Sequence, residues 1–175
     1  DTLAAHQLKE AILLALLHRE MHGEGSTVTT SLMESALASL VNQASNFLMN
    51  GNVPQRMGSQ HPNIAPYGDV YESSDGFPVL LAIGTERQFK HLCECLELQH
   101  LLQQAEFQTN TLRVQHREAL NKVIQAAISK QSLADLMTAF RTHGVPAARI
   151  RDMRQVFEIP TAQEMILDET LADGT

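Results

Sequence analysis

Asp1 stands directly ahead of a long apolar helical stretch. At a helix N-terminus, free N–H groups and the macrodipole hold a carboxylate ionised. An ionised carboxylate can attack a thioester, provided water is excluded and an oxyanion site is in position. By residue physics alone, capping the helix is the simpler role for Asp1. A second group lies in the stretch RMGSQHPNIAPYG, where Arg56, Gly58, Gln60 and His61 gather a cation, a glycine, an amide and an imidazole. A loop arginine is usually solvated and a His-Pro pair often only shapes a turn. Ligand contact and turn formation therefore both stand as readings of Arg56 and His61. Tyr67 reads as a packing residue rather than an acid.

Other chemistry-bearing residues carry less. Cys93 and Cys95 are two apart on a helical stretch, so they point to different faces and cannot chelate one ion together. They read as buried or half-buried thiols. His18 and His22 are four apart near a helix C-terminus, a favourable place for imidazole beside the dipole, but no third ligand accompanies them. There is no glycine-rich phosphate loop with a lysine. Arg149, Arg151 and Arg154 form a small basic patch, for which the acidic total makes a salt-bridged surface the default and a contact to CoA phosphates a remote alternative.

The elements that must position these residues follow from periodicity and caps. Residues 2–21 read as a helix, apolar nearly all round its middle and so buried on most sides, ended by the His22-Gly23-Glu24-Gly25 turn. A short strand is expected at 27–30. Ser31 and Glu34 form a capping box for a helix over 32–48. Residues 50–66 are a long loop, the kind that is functional or disordered in compact domains. Strands at 69–73 and 79–84 flank Ser74-Asp75-Gly76, a hairpin signal. Thr85 and Gln88 open a helix to about residue 96. Further helices are expected at 111–129 and at 132–143, the latter stopped by Gly144. A strand over 145–152 and a short helix capped by Thr161 and Glu164 complete the pattern, and the tail 171–175 closes no element. There is no internal repeat. The fold class is α/β: several helices around a small, largely antiparallel sheet.

The bulk numbers bound the function. The chain has 175 residues, 43% hydrophobic and 19% charged, with a net charge of −7. An acidic balance argues against a nucleic-acid surface, which needs a basic face. No apolar run reaches membrane-spanning length. Two cysteines cannot make a disulfide framework, and a reducing, cytoplasmic setting is the simpler reading. The first residue is not Met and the chain begins on a helix, so a truncated or processed polypeptide is expected.

The order of these features resembles the class III CoA-transferase family (CaiB/BaiF type). The matching residues are Asp1 with its helix, Arg19-Glu20, Gly23-Glu24-Gly25, Arg56-x-Gly58-x-x-His61-Pro62, Pro66-Tyr67, Asp75-Gly76, Phe89, Leu92-Cys93, Arg117 and Gly144-Val145-Pro146. Ala4-Ala5 and Ser26 stand where relatives often carry Gly and Gln. Isolated Gly51, Gly58 and Gly68 replace the glycine run of the formyl-CoA transferase branch, which sets the chain apart from that branch.

The resemblance implies a partial chain of a larger, two-domain, interlocked homodimer. Residues 1–50 would link to a CoA-binding large domain outside this sequence. Residues 51–66 would be an active-site loop, 67–160 a small α/β domain, and 161–175 a return segment. Asp1 would act as nucleophile and form an aspartyl-CoA thioester. Arg56, Gly58, Gln60 and His61 would form the substrate loop, with backbone N–H groups for the acyl oxygen. Acyl-CoA and a carboxylic acid would be the partners, coenzyme A a substrate rather than a resident cofactor, with no metal. A racemase of the same family and a non-catalytic helical interaction module are the alternatives. The 175-residue chain alone would show little turnover.

Overall fold

The computed structural model describes residues 1–167. The expected return segment over 161–175 falls partly outside the described residues, and the tail 171–175 entirely so. The chain divides into two units, Asp1–Arg56 and Met57–Thr175.

The first unit is helical. Helix α1 spans Thr2–His22 and ends as the glycine turn dictates: Gly23 takes φ 74° and returns its N–H to the Arg19 carbonyl. Its apolar residues were expected to be buried on most sides. Only Ala4 is buried, and Leu13, Leu14 and Leu17 are exposed. Its contact within the unit is with α2 (Leu32–Ala38), through Ser35, whose hydroxyl donates to Gln7 Oε1 at 2.6 Å. Ser31 caps α2 by accepting from Glu34 N–H. The expected helix over 32–48 is broken: α2 stops at Ala38, and α3 (Val41–Asn50) starts on Val41 itself, which takes φ 45°. A β-branched residue in that region is costly, and a 3.6-residue apolar pattern gives no sign of it. The expected strand at 27–30 is coil, because no second strand lies in this unit to pair with it.

The second unit is built on a three-stranded antiparallel sheet among the described residues, in the order β1 (Tyr67–Glu72), β2 (Pro78–Ala82), β3 (Ala147–Arg149). The β1–β2 hairpin closes over Ser74-Asp75-Gly76, with Gly76 at φ 78° and its N–H bonded to the Ser73 carbonyl. Asp75 accepts from Ser73 Oγ at 2.6 Å and from Leu133 N–H at 2.9 Å, which ties the turn to a helix start. The strand expected over 145–152 is only three residues long, because Asp152 turns the chain into α8 (Met153–Phe157).

Helix α4 (Glu86–Cys95) carries the Thr85–Gln88 capping box. Two short 3-10 turns lead to α5 (Asn110–Gln115) and α6 (Arg117–Ile128). The helix expected over 111–129 is thus divided at His116, which takes φ −105° and ψ 26°. Helix α7 (Leu133–Thr142) is capped by Ser132 and stopped by Gly144 at φ 65°. The short α9 (Pro160–Gln163) starts on Pro160 rather than on the expected Thr161 cap, since proline's fixed φ suits the first helical position. The core joins Val79, Leu81 and Ile83 of the sheet region to Phe89 and Leu92 of α4, Leu120, Ile124 and Ile128 of α6, and Leu136 and Phe140 of α7. Cys93 is buried within it and Cys95 is half-buried.

One irregularity matters most. Tyr67 pairs with Ala82 and Val70 with Leu80, so β1 carries one extra residue. Gly68, at φ 76°, begins this bulge. Gly68 and Asp69 are both buried, Gly68 beneath the Ser59 backbone and Asp69 on the core side of the sheet. A Cβ at position 68 would lie 1.9 Å from the Ser59 carbonyl oxygen. Gly68→Ala is therefore expected to lower stability well beyond the roughly 1–2 kcal/mol of a left-handed alanine. Gly76→Ala, with the same backbone sign and open space around it, should cost only that amount. Urea unfolding of the two variants checks this, and equal losses would show that the Gly68–Ser59 approach carries no weight.

Candidate functional site

Asp69 lies two residues before buried Tyr71 on the core-facing side of β1, where it is 1% exposed. Its four hydrogen bonds use both oxygens. Oδ2 accepts from Arg117 Nη1 at 3.0 Å and from Tyr67 N–H at 3.0 Å. Oδ1 accepts from Gln60 Nε2 at 2.7 Å and from Asn121 Nδ2 at 2.7 Å. Arg117 stands on the apolar stripe of α6 with Leu120, Ile124 and Ile128. Its Nη2 donates to the carbonyls of His61 at 2.5 Å and Ile64 at 2.9 Å. Tyr71, two residues along β1, donates its hydroxyl to Asn121 Oδ1 at 2.7 Å. Burial, and then the Asp69 charge, holds its phenol well above the ordinary value of 10.0, so the group stays a donor.

One turn earlier on this buried side, Arg113 does the same for the next stretch of loop. Its Nε donates to the Ala65 carbonyl at 3.1 Å, and its Nη1 and Nη2 form a two-pronged pair with Glu86 at 2.9 Å each. Its guanidinium lies 4.2 Å from the centre of the Phe89 ring. Asn110 adds a bond from its Nδ2 to the Asn63 carbonyl and accepts from Ala65 N–H. The segment 61–66 has no strand partner for these carbonyls, and side chains from α5 and α6 take that place.

Residues 57–60 form a tight turn. Gln60 N–H reaches the Met57 carbonyl at 3.3 Å, and Gly58 stands at the first central position with φ 64°. That conformation suits glycine. Ser59 Oγ donates to the Gly68 carbonyl at 2.5 Å, and His61 N–H donates to the Tyr67 carbonyl at 2.9 Å. The His61 ring meets Tyr67 edge-on at 5.4 Å. Two of the loop N–H groups, those of Gln60 and His61, are thus already spent inside the protein. Those of Gly58 and Ser59 have no protein acceptor among the described residues, and both residues are exposed. Beside the turn, a groove of about 550 Å³ is lined by Gln60, Tyr71, Asn121 and Lys122.

Gly58 and Gln60 are therefore brought into one turn, and His61 follows it directly. Arg56 is exposed at the end of the first unit. Asp1 is the exposed N-cap residue of α1, and its carboxylate makes no capping hydrogen bond. The residues behind the turn, buried Asp69 and Arg113 and half-buried Asn121, were absent from the candidates drawn from sequence. Their signal was there: Arg113 and Arg117 fall on the same helical face as Leu120 and Ile124.

Three comparisons bear on this chain. Residues 1–175 match the family described as "CoA-transferase family III". The "Succinate--glutarate CoA-transferase" of Agrobacterium fabrum is 36% identical over 94% of this chain and 41% of its own length. The "Acyl-CoA transferase" of Fusarium pseudograminearum is 36% identical over 92% of this chain and 35% of its own. A crystal structure of a CaiB/BaiF family protein from Brucella suis is similar at TM-score 0.67 and 33% identity, over 93% of this chain and 42% of that one. The chain thus spans about two fifths of the length of these relatives.

Two outcomes are expected from the buried network. Removing one partner of a buried pair strands the other charge, so Asp69→Ala should cost about 3–5 kcal/mol, measured by chemical denaturation. Asp69→Leu combined with Arg117→Met should cost less than the sum of its single changes. A loss from Asp69→Ala below about 1 kcal/mol would remove the pair from its structural role. The second outcome concerns pH. The Arg113 hydrogen bonds hold the Glu86 carboxyl below its ordinary 4.5. A depressed folded pKa stabilises above the unfolded value and is lost as pH falls through the folded one. The stability gap between the native protein and Glu86→Gln should then be present at about pH 6 and shrink towards about pH 3. It will be modest, because the Glu86 side chain is 62% exposed. A gap independent of pH would exclude this linkage.

Proposed function

This chain belongs to CoA-transferase family III, and from that premise we propose that it is part of an acyl-CoA:carboxylic acid CoA-transferase with Asp1 as nucleophile. What supports the choice of Asp1 is its carboxylate: it heads a 21-residue helix and is not spent on a capping bond. The helix N-terminus favours the ionised form that attack requires.

In this reading an Asp1 carboxylate oxygen attacks the thioester carbonyl. The C–S bond breaks, CoA leaves as thiolate, and an acyl–aspartyl anhydride remains. The thiolate then attacks the aspartyl carbon, giving an aspartyl-CoA thioester and releasing the donor acid. The acceptor carboxylate repeats the two steps in reverse and regenerates the Asp1 carboxylate. Residues 56–61 are assigned to acyl-CoA binding. The open N–H groups of Gly58 and Ser59 suit a carbonyl oxygen whose charge grows during attack. Arg56, Gln60 and His61 belong to the same segment, Gln60 being held by Asp69. Coenzyme A is a substrate. The reading includes a homodimer, which would cover exposed apolar residues of α1 such as Leu14 and Met21. The relative named for succinate and glutarate makes short dicarboxylates the first acyl groups to try.

The test is acyl-enzyme trapping in the intact protein. Hydroxylamine should capture the aspartyl-CoA species as a hydroxamate at Asp1, and borohydride should reduce it. Asp1→Ala should abolish capture and lower kcat by about 10³-fold or more. Retained capture in that variant would exclude Asp1. Exchange of the α-proton into deuterated water without CoA transfer would instead assign a racemase.

A further inference from the structure

A slot of about 460 Å³ opens between α7 and the edge strand β3, away from the Asp69 network. Its inner wall is apolar, made by Met137, Phe140 and Val145, and three arginines line it as well: Arg141, Arg149 and Arg151. Arg149 pairs across the ladder with Val79, a fully buried residue. Paired residues share a face, so the Arg149 side chain leaves the sheet on its core side. Its Nε is buried without a hydrogen-bond partner. Among the described residues no other buried side-chain nitrogen or oxygen is left in that state.

The charges around it are equally unmatched. The ion pairs among the described residues are Arg19–Glu20, Lys90–Glu94, Arg113–Glu86 and Arg117–Asp69. None involves Arg141, Arg149 or Arg151. The chain has 20 acidic against 13 basic residues, so a carboxylate for each arginine was available in composition. Arg141 and Arg151 are exposed and open to a ligand, and among the described residues the buried Arg149 N–H is the group that lacks an acceptor. A guanidinium offers N–H groups in a planar fork that fits tetrahedral phosphate through two bonds at once. The apolar wall suits the body to which such a group is attached.

We propose that the slot between α7 and β3 binds a phosphate group, with Arg149 as its central contact and Arg141 and Arg151 flanking it. Phosphate can arrive as a free anion or on coenzyme A. The second source rests on the function proposed above, and the first does not.

Phenylglyoxal labelling of the intact protein, read peptide by peptide by mass spectrometry, tests this. The probes are inorganic phosphate, coenzyme A, and coenzyme A lacking its 3′-phosphate. Inorganic phosphate should slow labelling of Arg149 and Arg151 severalfold, with Arg19 and Arg87, both exposed, as unaffected references. Protection by coenzyme A but not by its 3′-dephospho form would identify the coenzyme A 3′-phosphate as the source. Protection by phosphate alone would identify a free anion. In calorimetric titration with phosphate, Arg149→Met and Arg151→Gln should each weaken binding about tenfold or more. Arg151 is exposed, so its variant keeps the test valid if Arg149→Met unfolds. Overturning results are labelling rates that none of the three probes alters, or an Arg151→Gln protein that binds phosphate as tightly as the native one. Either would leave hydroxylamine capture at Asp1 intact, so the two readings fail separately.

Discussion

Asp69 and Arg117 are charged, buried and bonded to one another, and the second unit is organised around meeting their needs. Ions removed from water are tolerated only when nearly every lone pair and N–H finds a partner. Asp69 has four donors on its two oxygens. Arg117 has one carboxylate and two backbone carbonyls. Asp69 shares the core-facing side of β1 with Tyr71, and the bulge just before it leaves Tyr67 on the other face with its N–H bonded to Oδ2. The bulge in turn requires a residue that accepts a positive φ and leaves room for the Ser59 carbonyl, which only Gly68 does.

The segment before the sheet inherits its order from this pair. A stretch of loop with no ladder of its own has its carbonyls bound at His61, Asn63, Ile64 and Ala65 by Arg117, Asn110 and Arg113. Such backing matters for any chemistry at the turn, because donors stabilise developing charge only when held in place beforehand. The Gln60 N–H closes the turn and the His61 N–H is bonded to the Tyr67 carbonyl, while those of Gly58 and Ser59 are open among the described residues.

Helix starts and stops were readable from short-range signals. Ser31, Thr85 and Ser132 cap as their side chains allow, and Gly23 and Gly144 end their helices in the left-handed region. Breaks inside apolar patterns were not. The turn at Val41 and the bend at His116 interrupt sequences whose periodicity continues through them. The strand expected at 27–30 fails for a different reason: β-propensity states suitability for a sheet, and that stretch has no neighbour to pair with. In the candidate site, glycine and the His-Pro pair marked the loop. The arginines that hold it stood on an apolar stripe, but no short-range pattern named the carboxylates and carbonyls they would meet.

The sequence by itself determined the family, the antiparallel hairpin, the helical caps and the loop as a place of interest. These depend on neighbours within a few residues or on an ordered set of motifs along the chain. Tertiary structure decided which polar groups face inward. Asp69 meets Arg117 across 48 residues, Tyr71 meets Asn121 across 50, and Arg113 meets Glu86 across 27. Pairing at such separations is set by how the sheet and helices pack, and each pair takes at least one polar group out of water: Asp69 with Arg117, Tyr71, and Arg113.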